Sequence, residues 1–195
     1  IGDSGAGKTS LINRIKKNRF IGGEKLTVGI EFYNLNVPVE NKIINLQIWD
    51  TCGQEKFRAL TINYFTKTDL AIIVYAIDDY SSFKGLEYWV TNLRDKDENI
   101  KMFLVGTKND LEFKREVKKE EAESFSKKNG CEDFIETSSE NGYHCKELFI
   151  KIAQKLYEDI KPKSKNENNK EKEEKTNIKI STNNNNSSEK SGGCC

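Results

Sequence analysis

The stretch Gly2-Asp3-Ser4-Gly5-Ala6-Gly7-Lys8-Thr9 fits the pattern G-x-x-x-x-G-K-[ST], the phosphate-binding loop. Its glycines let the backbone turn tightly, so that N–H groups can approach phosphate oxygens. The lysine can reach the outer phosphates, and the threonine hydroxyl can bind Mg²⁺. Leu11, Ile12 and Ile15 follow at helical spacing. We therefore predict that the loop begins a helix whose N-terminus faces the anion.

A strand normally precedes this loop, and only Ile1 stands in front of it here. We therefore expect that the chain is truncated at its N-terminus and that the first strand is nearly absent. Because that strand is usually central in the sheet, both of its neighbours would then carry unpaired backbone groups.

Composition and charge narrow the class of protein. The chain has 195 residues and a formal net charge of +1, so no overall field attracts nucleic acid, and we expect no nucleic-acid partner. No run of 18 apolar residues predicts a membrane span. The cysteines show no metal-ligand spacing, which suits a reducing cytosol. They are Cys52, Cys131, Cys145, Cys194 and Cys195.

Hydrophobic patterning predicts a hairpin followed by alternating strands and helices. Residues 29–37 and 42–50 alternate around a turn, which favours an antiparallel pair. The apolar run 70–77 is typical of a strand buried on both faces. Further strands are predicted at 102–106 and 134–137. Helices are predicted after an N-cap at Ser81 or Ser82, at 117–129 and at 146–160. This order predicts an α/β fold with a mostly parallel sheet covered on both faces.

The composition changes at Pro162, beyond which Lys, Asn, Glu and Ser dominate. Such a segment cannot bury enough apolar area to offset its ordering entropy. We predict a folded domain at 1–160 and a disordered tail at 161–195 that ends in Cys194-Cys195.

Two further stretches could complete a nucleotide site. In the segment 49–55, Asp50 could hold a Mg²⁺ shell, Gly53 could offer its N–H to a γ-phosphate, and Gln54 could orient a water. An ordinary strand-end acid and a turn glycine are the alternative. In Thr107-Lys108-Asn109-Asp110, a carboxylate could accept two N–H donors of guanine that adenine lacks. A solvated loop charge is the alternative there.

A third stretch, Thr137-Ser138-Ser139, could offer backbone N–H groups to the base carbonyl, although alone it is only a polar turn. Taken together, these motifs resemble the small GTPases of the Ras superfamily, and Rab is the most similar branch. The resemblance implies a P-loop small G domain with a mostly parallel six-stranded sheet, one antiparallel strand and helices on both faces. The segments that carry it are 2–9, 27–32, 46–55 and 107–111.

The resemblance also implies that the chain binds GTP/GDP with Mg²⁺. Thr9, Thr27 and Asp50 would hold the metal, Phe20 would pack edge-on to guanine, and Gln54 would be catalytic. The implied nucleotide-binding residues are Ser4, Gly5, Ala6, Gly7, Lys8, Thr9, Ser10, Phe20, Thr27, Asp50, Gly53, Thr107, Lys108, Asp110, Ser138, Ser139 and Glu140.

Partners follow from the same resemblance. Phe32, Trp49 and Tyr64 match the aromatic triad that Rab proteins present to effectors, with core packing as the alternative. Cys194 and Cys195 match the doubly geranylgeranylated Rab ending. Implied partners are a guanine-nucleotide exchange factor, a GTPase-activating protein, a GDP-dissociation inhibitor and the prenylation machinery. The expected location is the cytoplasmic face of intracellular membranes, reached by a lipid anchor, with a cytosolic pool.

Some positions depart from the family pattern. Cys52 replaces the usual Ala, and Thr107 replaces the commoner Asn. Ser138-Ser139-Glu140 replaces Ser-Ala-Lys, from which we expect weaker nucleotide affinity. Residues 63–67 match the effector region only loosely, so the family prediction is firmer than the branch prediction.

The sequence thus predicts a GTP-hydrolysing switch of vesicle traffic that is slow without an activating protein, because no motif places an arginine against the developing charge. Several alternatives stay open. One is a phosphate-loop ATPase or small-molecule kinase, and another is a Ras- or Rho-like signalling GTPase. A third is a scaffold that binds GTP without hydrolysis, and a fourth is a truncated fragment that neither folds nor binds.

Overall fold

The computed structural model describes residues 1–22, 27–62 and 68–160. Its strands are β1 (Ile30–Val39), β2 (Lys42–Thr51), β3 (Leu70–Ala76), β4 (Lys101–Thr107) and β5 (Asp133–Glu136). Its helices are α1 (Lys8–Lys17), α2 (Arg58–Ile62), α3 (Tyr80–Lys84), α4 (Leu86–Lys96), α5 (Lys119–Lys128) and α6 (Cys145–Ile160). Short 3₁₀ helices occur at Glu55–Phe57 and Asn109–Lys114.

The strands confirm the predicted α/β class. β1 and β2 form an antiparallel hairpin, whereas β3, β4 and β5 form a parallel sheet in sequence order. The described strands make two sheets, of two and three strands. Ile1 lies beside β3, where its amino group donates to the Ile72 carbonyl at 2.8 Å and its carbonyl accepts from the Val74 N–H at 2.9 Å.

A cavity of about 760 Å³ lies between the facing edges of β2 and β3, and side chains of α6 close its side. It is lined mostly by strand and helix residues of apolar type, including Leu46, Ile72 and Ile152. Its lining does not include Lys108 and Asp110, which were predicted to contact the base. Two predicted site residues, Lys8 and Asp50, do line it, so one end of this cavity borders the predicted phosphate and metal site.

Two apolar clusters cover the two faces of the parallel sheet. Alternation along β3 sends Val74 to one face and Ile73 and Tyr75 to the other, as the two-residue period of a strand requires. One cluster includes α1 and α6, and the second includes α4 and α5 with the fully buried Trp89. Burying one large apolar side chain contributes about 1.5–3 kcal/mol to the free energy of unfolding, so the two clusters stabilise the parallel sheet between them.

The helix after β3 differs from its prediction. Asp79, and not Ser81 or Ser82, is the N-cap of α3, because its carboxylate accepts from the backbone N–H groups of both serines. The predicted single helix is also divided at Gly85, where α3 and α4 adjoin.

Among the described residues, none of the helices combines the length and the apolar character needed to cross a bilayer. The predicted tail at 161–195 lies outside the described residues, so the division into domain and tail stays a prediction.

The predicted site residues lie in loops at one edge of the sheet. The phosphate loop precedes α1, and the segments 50–54, 107–110 and 137–140 follow the carboxyl ends of β2, β4 and β5. Ligands of open α/β sheets bind at this edge.

Candidate functional site

The phosphate loop leads directly into α1, which begins at Lys8. Gly7 is the N-cap residue and has φ of 85°, a left-handed conformation that favours glycine. A Cβ at Gly7 would lie 3.0 Å from the Thr107 Oγ1, so the loop also passes close to β4. The N-terminus of α1 therefore follows directly on the loop, where backbone N–H groups of a first helical turn can bind an anion.

The Lys8 side chain binds the backbone of the loop that precedes it. Its Nζ donates to the carbonyls of Gly2 at 2.8 Å and Asp3 at 2.7 Å. Burial lowers the pKa of Lys8 to about 8, and the carboxylates of Asp50 and Asp3 oppose that shift. The ammonium is thus held in a poorly solvated position, where a phosphate would stabilise its charge.

The three predicted metal ligands lie together. The Thr9 hydroxyl donates to Asp50 Oδ2 at 2.7 Å, and the hydroxyls of Thr9 and Thr27 are 2.6 Å apart. Asp50 Oδ1 is buried and has no hydrogen-bond partner in the described part of the chain. Burial raises the pKa of Asp50, against the Thr9 hydrogen bond and the Lys8 charge. Hard oxygen donors with one unsatisfied carboxylate oxygen fit Mg²⁺.

Gly53 approaches the loop so closely that a side chain does not fit. A Cβ there would lie 2.4 Å from the Asp3 carbonyl carbon and 2.5 Å from both Lys8 Nζ and the Ser4 nitrogen. Gln54 follows in an extended conformation and is half-buried before the 3₁₀ helix Glu55–Phe57. Gln54 is not among the residues that line the site cavity, although Gly53 before it is.

The segment 107–110, which was predicted to contact the base and is called the base-reading segment below, is held by hydrogen bonds to neighbouring segments. The Thr107 hydroxyl donates to the Ala6 carbonyl at 2.7 Å, and the Tyr75 carbonyl lies 3.1 Å from the same oxygen. The Ser138 hydroxyl donates to the Asp110 carboxylate, which orients that carboxylate. Lys108 has φ of 61°, and its Nζ lies 3.0 Å from Asp78 Oδ1.

One cavity of about 250 Å³ joins these two ends. Its lining contains every predicted nucleotide-binding residue except Ala6, Asp50 and Ser138. Each of those three is hydrogen-bonded to a lining residue, through Thr107, Thr9 and Asp110 respectively. The structure thus brings the whole predicted set together around one cavity.

Sequence reasoning missed part of the lining. Thr51, Cys52 and Leu111 also contact the cavity, although none of them was predicted as a site residue. Their side chains carry no charge that would mark them as ligands, and only their adjacency to Asp50 and Asp110 could have indicated them. The predicted Glu140 lines the cavity but is exposed, and its carbonyl accepts from Arg14 at 3.2 Å.

Two of the three predicted effector aromatics form a surface pair. Phe32 and Trp49 lie opposite each other in the hairpin, with ring centroids 4.9 Å apart and planes inclined by 54°. They are 43% and 49% exposed, which contradicts the alternative of core packing. Tyr64, Cys194 and Cys195 lie outside the described residues.

The fold and the site define a small G domain of the phosphate-loop class. A family model described as Ras family matches residues 1–158. Ras-related protein YPTC6 of Chlamydomonas reinhardtii is 38% identical over 199 residues, an alignment that spans 100% of this chain and 92% of that protein. The chain belongs to the Ras family, which confirms the family prediction made from the motifs.

Proposed function

We propose that the chain is a Rab-like small GTPase that binds GTP and GDP with Mg²⁺, hydrolyses GTP and acts as a switch in vesicle traffic. The single observation that carries this proposal is the cavity that has the phosphate loop at one end and Asp110 at the other. A phosphate-loop ATPase or small-molecule kinase would have no use for a base-facing carboxylate at that place.

The phosphate end would act by electrostatics and positioning. Lys8 and the N-terminus of α1 would hold the outer phosphates, and the backbone N–H of Gly53 would donate to the γ-phosphate. Thr9, Thr27 and Asp50 would hold Mg²⁺, which supplies positive charge against the charge that develops on the phosphate oxygens. Loss of the γ-phosphate would remove the contacts that order Thr27 and Gly53, which is how such loops switch.

Gln54 would orient the water that attacks the γ-phosphorus. Arg58, the arginine of α2, is already paired with Asp3 at 2.7 Å. We therefore assign no arginine of this chain to the negative charge that develops in the transition state, and intrinsic hydrolysis should be slow. A GTPase-activating protein would supply an arginine, and in Rab-type reactions it can also supply a glutamine.

The proposed partners follow from surface and tail. The exposed Phe32–Trp49 pair, with Tyr64, would receive effectors, and a guanine-nucleotide exchange factor would reload the site. Prenylation of Cys194 and Cys195 would anchor the protein to the cytoplasmic face of intracellular membranes. A GDP-dissociation inhibitor would extract it into a cytosolic pool.

Single-turnover phosphate release from protein loaded with GTP tests the enzymatic part. Wild-type protein should release phosphate slowly, and Gln54→Leu should slow the release further without changing GTP affinity. Glu55→Gln, a change on the neighbouring exposed residue, serves as the matched control. Tight GTP binding without any phosphate release, even with an activating protein, would instead support a binding-only scaffold.

A further inference from the structure

A cluster of charged residues lies directly behind the base-reading segment and takes no part in the proposed function so far. Arg115 makes two hydrogen bonds to Glu136, from Nη1 to Oε1 at 2.8 Å and from Nη2 to Oε2 at 2.9 Å. Its other edge makes two more to Glu112, at 2.8 and 2.6 Å. Both pairings use the planar fork of the guanidinium, so its orientation is fixed.

Glu136 connects this cluster to the base-reading segment. Its Oε2 also accepts from the Asn109 Nδ2 at 3.1 Å, and the Asn109 backbone N–H donates to the Thr137 carbonyl at 3.1 Å. Asn109 lies between Lys108 and Asp110, so the side chain and the backbone of this one residue both fasten the segment to the end of β5.

Burial makes the two sides of Arg115 unequal. The side chain of Glu136 is only 8% exposed and that of Arg115 16%, whereas Glu112 is 64% exposed. An ion pair out of water is costly to break, because removal of one partner leaves the other charge buried and uncompensated. The Arg115–Glu136 pair therefore has structural consequences that the solvated Arg115–Glu112 pair lacks.

We propose that Arg115 and Glu136 are positioning residues for guanine specificity. They hold Asn109, and through the backbone they hold the Asp110 carboxylate where it accepts both the N1–H and the 2-amino group of guanine. This inference rests on the proposed function. The Asp110 carboxylate can accept two hydrogen bonds from guanine at once only if it is placed to within about 0.5 Å. A segment without supporting contacts to neighbouring residues does not maintain that placement.

The test compares affinities of the full chain for GDP and for IDP, whose base has N1–H but no 2-amino group. Wild-type protein should bind GDP about 10- to 100-fold more tightly than IDP, as expected for one hydrogen bond to a charged acceptor. Arg115→Ala should shrink that ratio several-fold. Glu112→Gln, which changes the exposed side of the same arginine, should leave the ratio unchanged.

Two milder variants keep the proposal testable if Arg115→Ala does not fold. Arg115→Lys keeps the charge but not the fork, and Glu136→Gln keeps an acceptor for Asn109 but not the charge, so both should reduce the ratio to a smaller extent. Equal losses for GDP and IDP, or an unchanged ratio, would overturn the positioning role. If wild-type protein does not prefer GDP to ADP, the proposed function fails and the inference falls with it, a result visible before any variant is made.

Discussion

The Thr107 hydroxyl donates a hydrogen bond of 2.7 Å to the Ala6 carbonyl, and so joins the base-reading segment to the phosphate loop across the cavity floor. Thr107 is fully buried, and it stands where Asn is commoner in the family. The shorter side chain still reaches the loop because Gly7 has no Cβ to keep the two segments apart.

Thr107→Val keeps the shape of this side chain and removes its hydroxyl. The Ala6 carbonyl would then lose its donor, and we expect the free energy of unfolding to fall by about 1–3 kcal/mol. The GDP affinity should fall as well, because both ends of the site depend on this bond. Chemical denaturation and GDP titration measure the two effects, and Thr107→Ser is the control. A Val variant as stable as the Ser variant would contradict the role of the hydroxyl.

Asp3 occupies a variable position of the phosphate loop and points away from the cavity. Its Oδ1 accepts from Arg58 Nη2 at 2.7 Å and from Trp89 Nε1 at 3.0 Å. The Arg58 guanidinium also lies 4.6 Å from the Tyr88 ring centroid. A Cβ at Gly85 would lie only 2.0 Å from Asp3 Oδ2, so this carboxylate needs a glycine opposite it.

Two effects of Gly85→Ala on the free energy of unfolding therefore oppose each other. Helix propensity alone predicts stabilisation by about 0.5–1 kcal/mol. We expect net destabilisation, because the new methyl group displaces Asp3 from Arg58 and Trp89. In an Asp3→Ala background the same substitution should become stabilising. Thermal unfolding of the four proteins in this cycle measures the change of sign, and a stabilising effect in both backgrounds would refute the close approach.

The depressed pKa of Lys8, about 8 against an ordinary 10.5, predicts a proton linkage. At pH 8 about half of the ligand-free molecules lack this proton, and a bound phosphate would restore it, so nucleotide binding should take up about half a proton. The terminal phosphate titrates near pH 6 and is already ionised. Calorimetry at pH 8 in two buffers of different ionisation enthalpy measures the uptake. Proton release, or none, would contradict it.

The same shift has a consequence for stability without nucleotide. The unfolded chain, with an ordinary lysine pKa, binds more protons than the folded chain between about pH 8 and 10.5. The contribution of Lys8 to the free energy of unfolding therefore rises with pH across that window.

Asp50→Asn tests the metal ligands. The unpaired Oδ1 of Asp50 and its bond to Thr9 fit the proposed role of this carboxylate in holding Mg²⁺, and the amide removes its charge. We expect the gain in GDP affinity on adding Mg²⁺ to fall at least tenfold. Asp95 lies in α4 and is exposed, so Asp95→Asn, the same chemical change at a surface carboxylate, is the matched control. An equal Mg²⁺ dependence in both variants would exclude the assignment.

Features encoded by neighbouring residues were predictable, and features encoded by distant ones were not. Periodicity located the hairpin and the buried strand β3, and fixed motif spacing located Lys8 and Asp50. The Asp79 cap was missed because Asp and Ser are comparably good N-cap residues, and the division at Gly85 was missed because a single glycine inside a helical pattern is tolerated. The Arg58–Asp3 and Arg115–Glu136 pairs join charged residues far apart in the chain, which no local pattern marks.

The central claim is that the carboxylate of Asp110 reads guanine at one end of the cavity while the phosphate loop holds phosphate at the other. Calorimetric titration of the full chain with GDP and with ADP, each with Mg²⁺, tests it most directly. We predict that GDP binds about 10⁴-fold more tightly or better, and that Asp110→Ala largely removes this preference. Equal affinities of the wild-type protein for the two nucleotides would contradict the account.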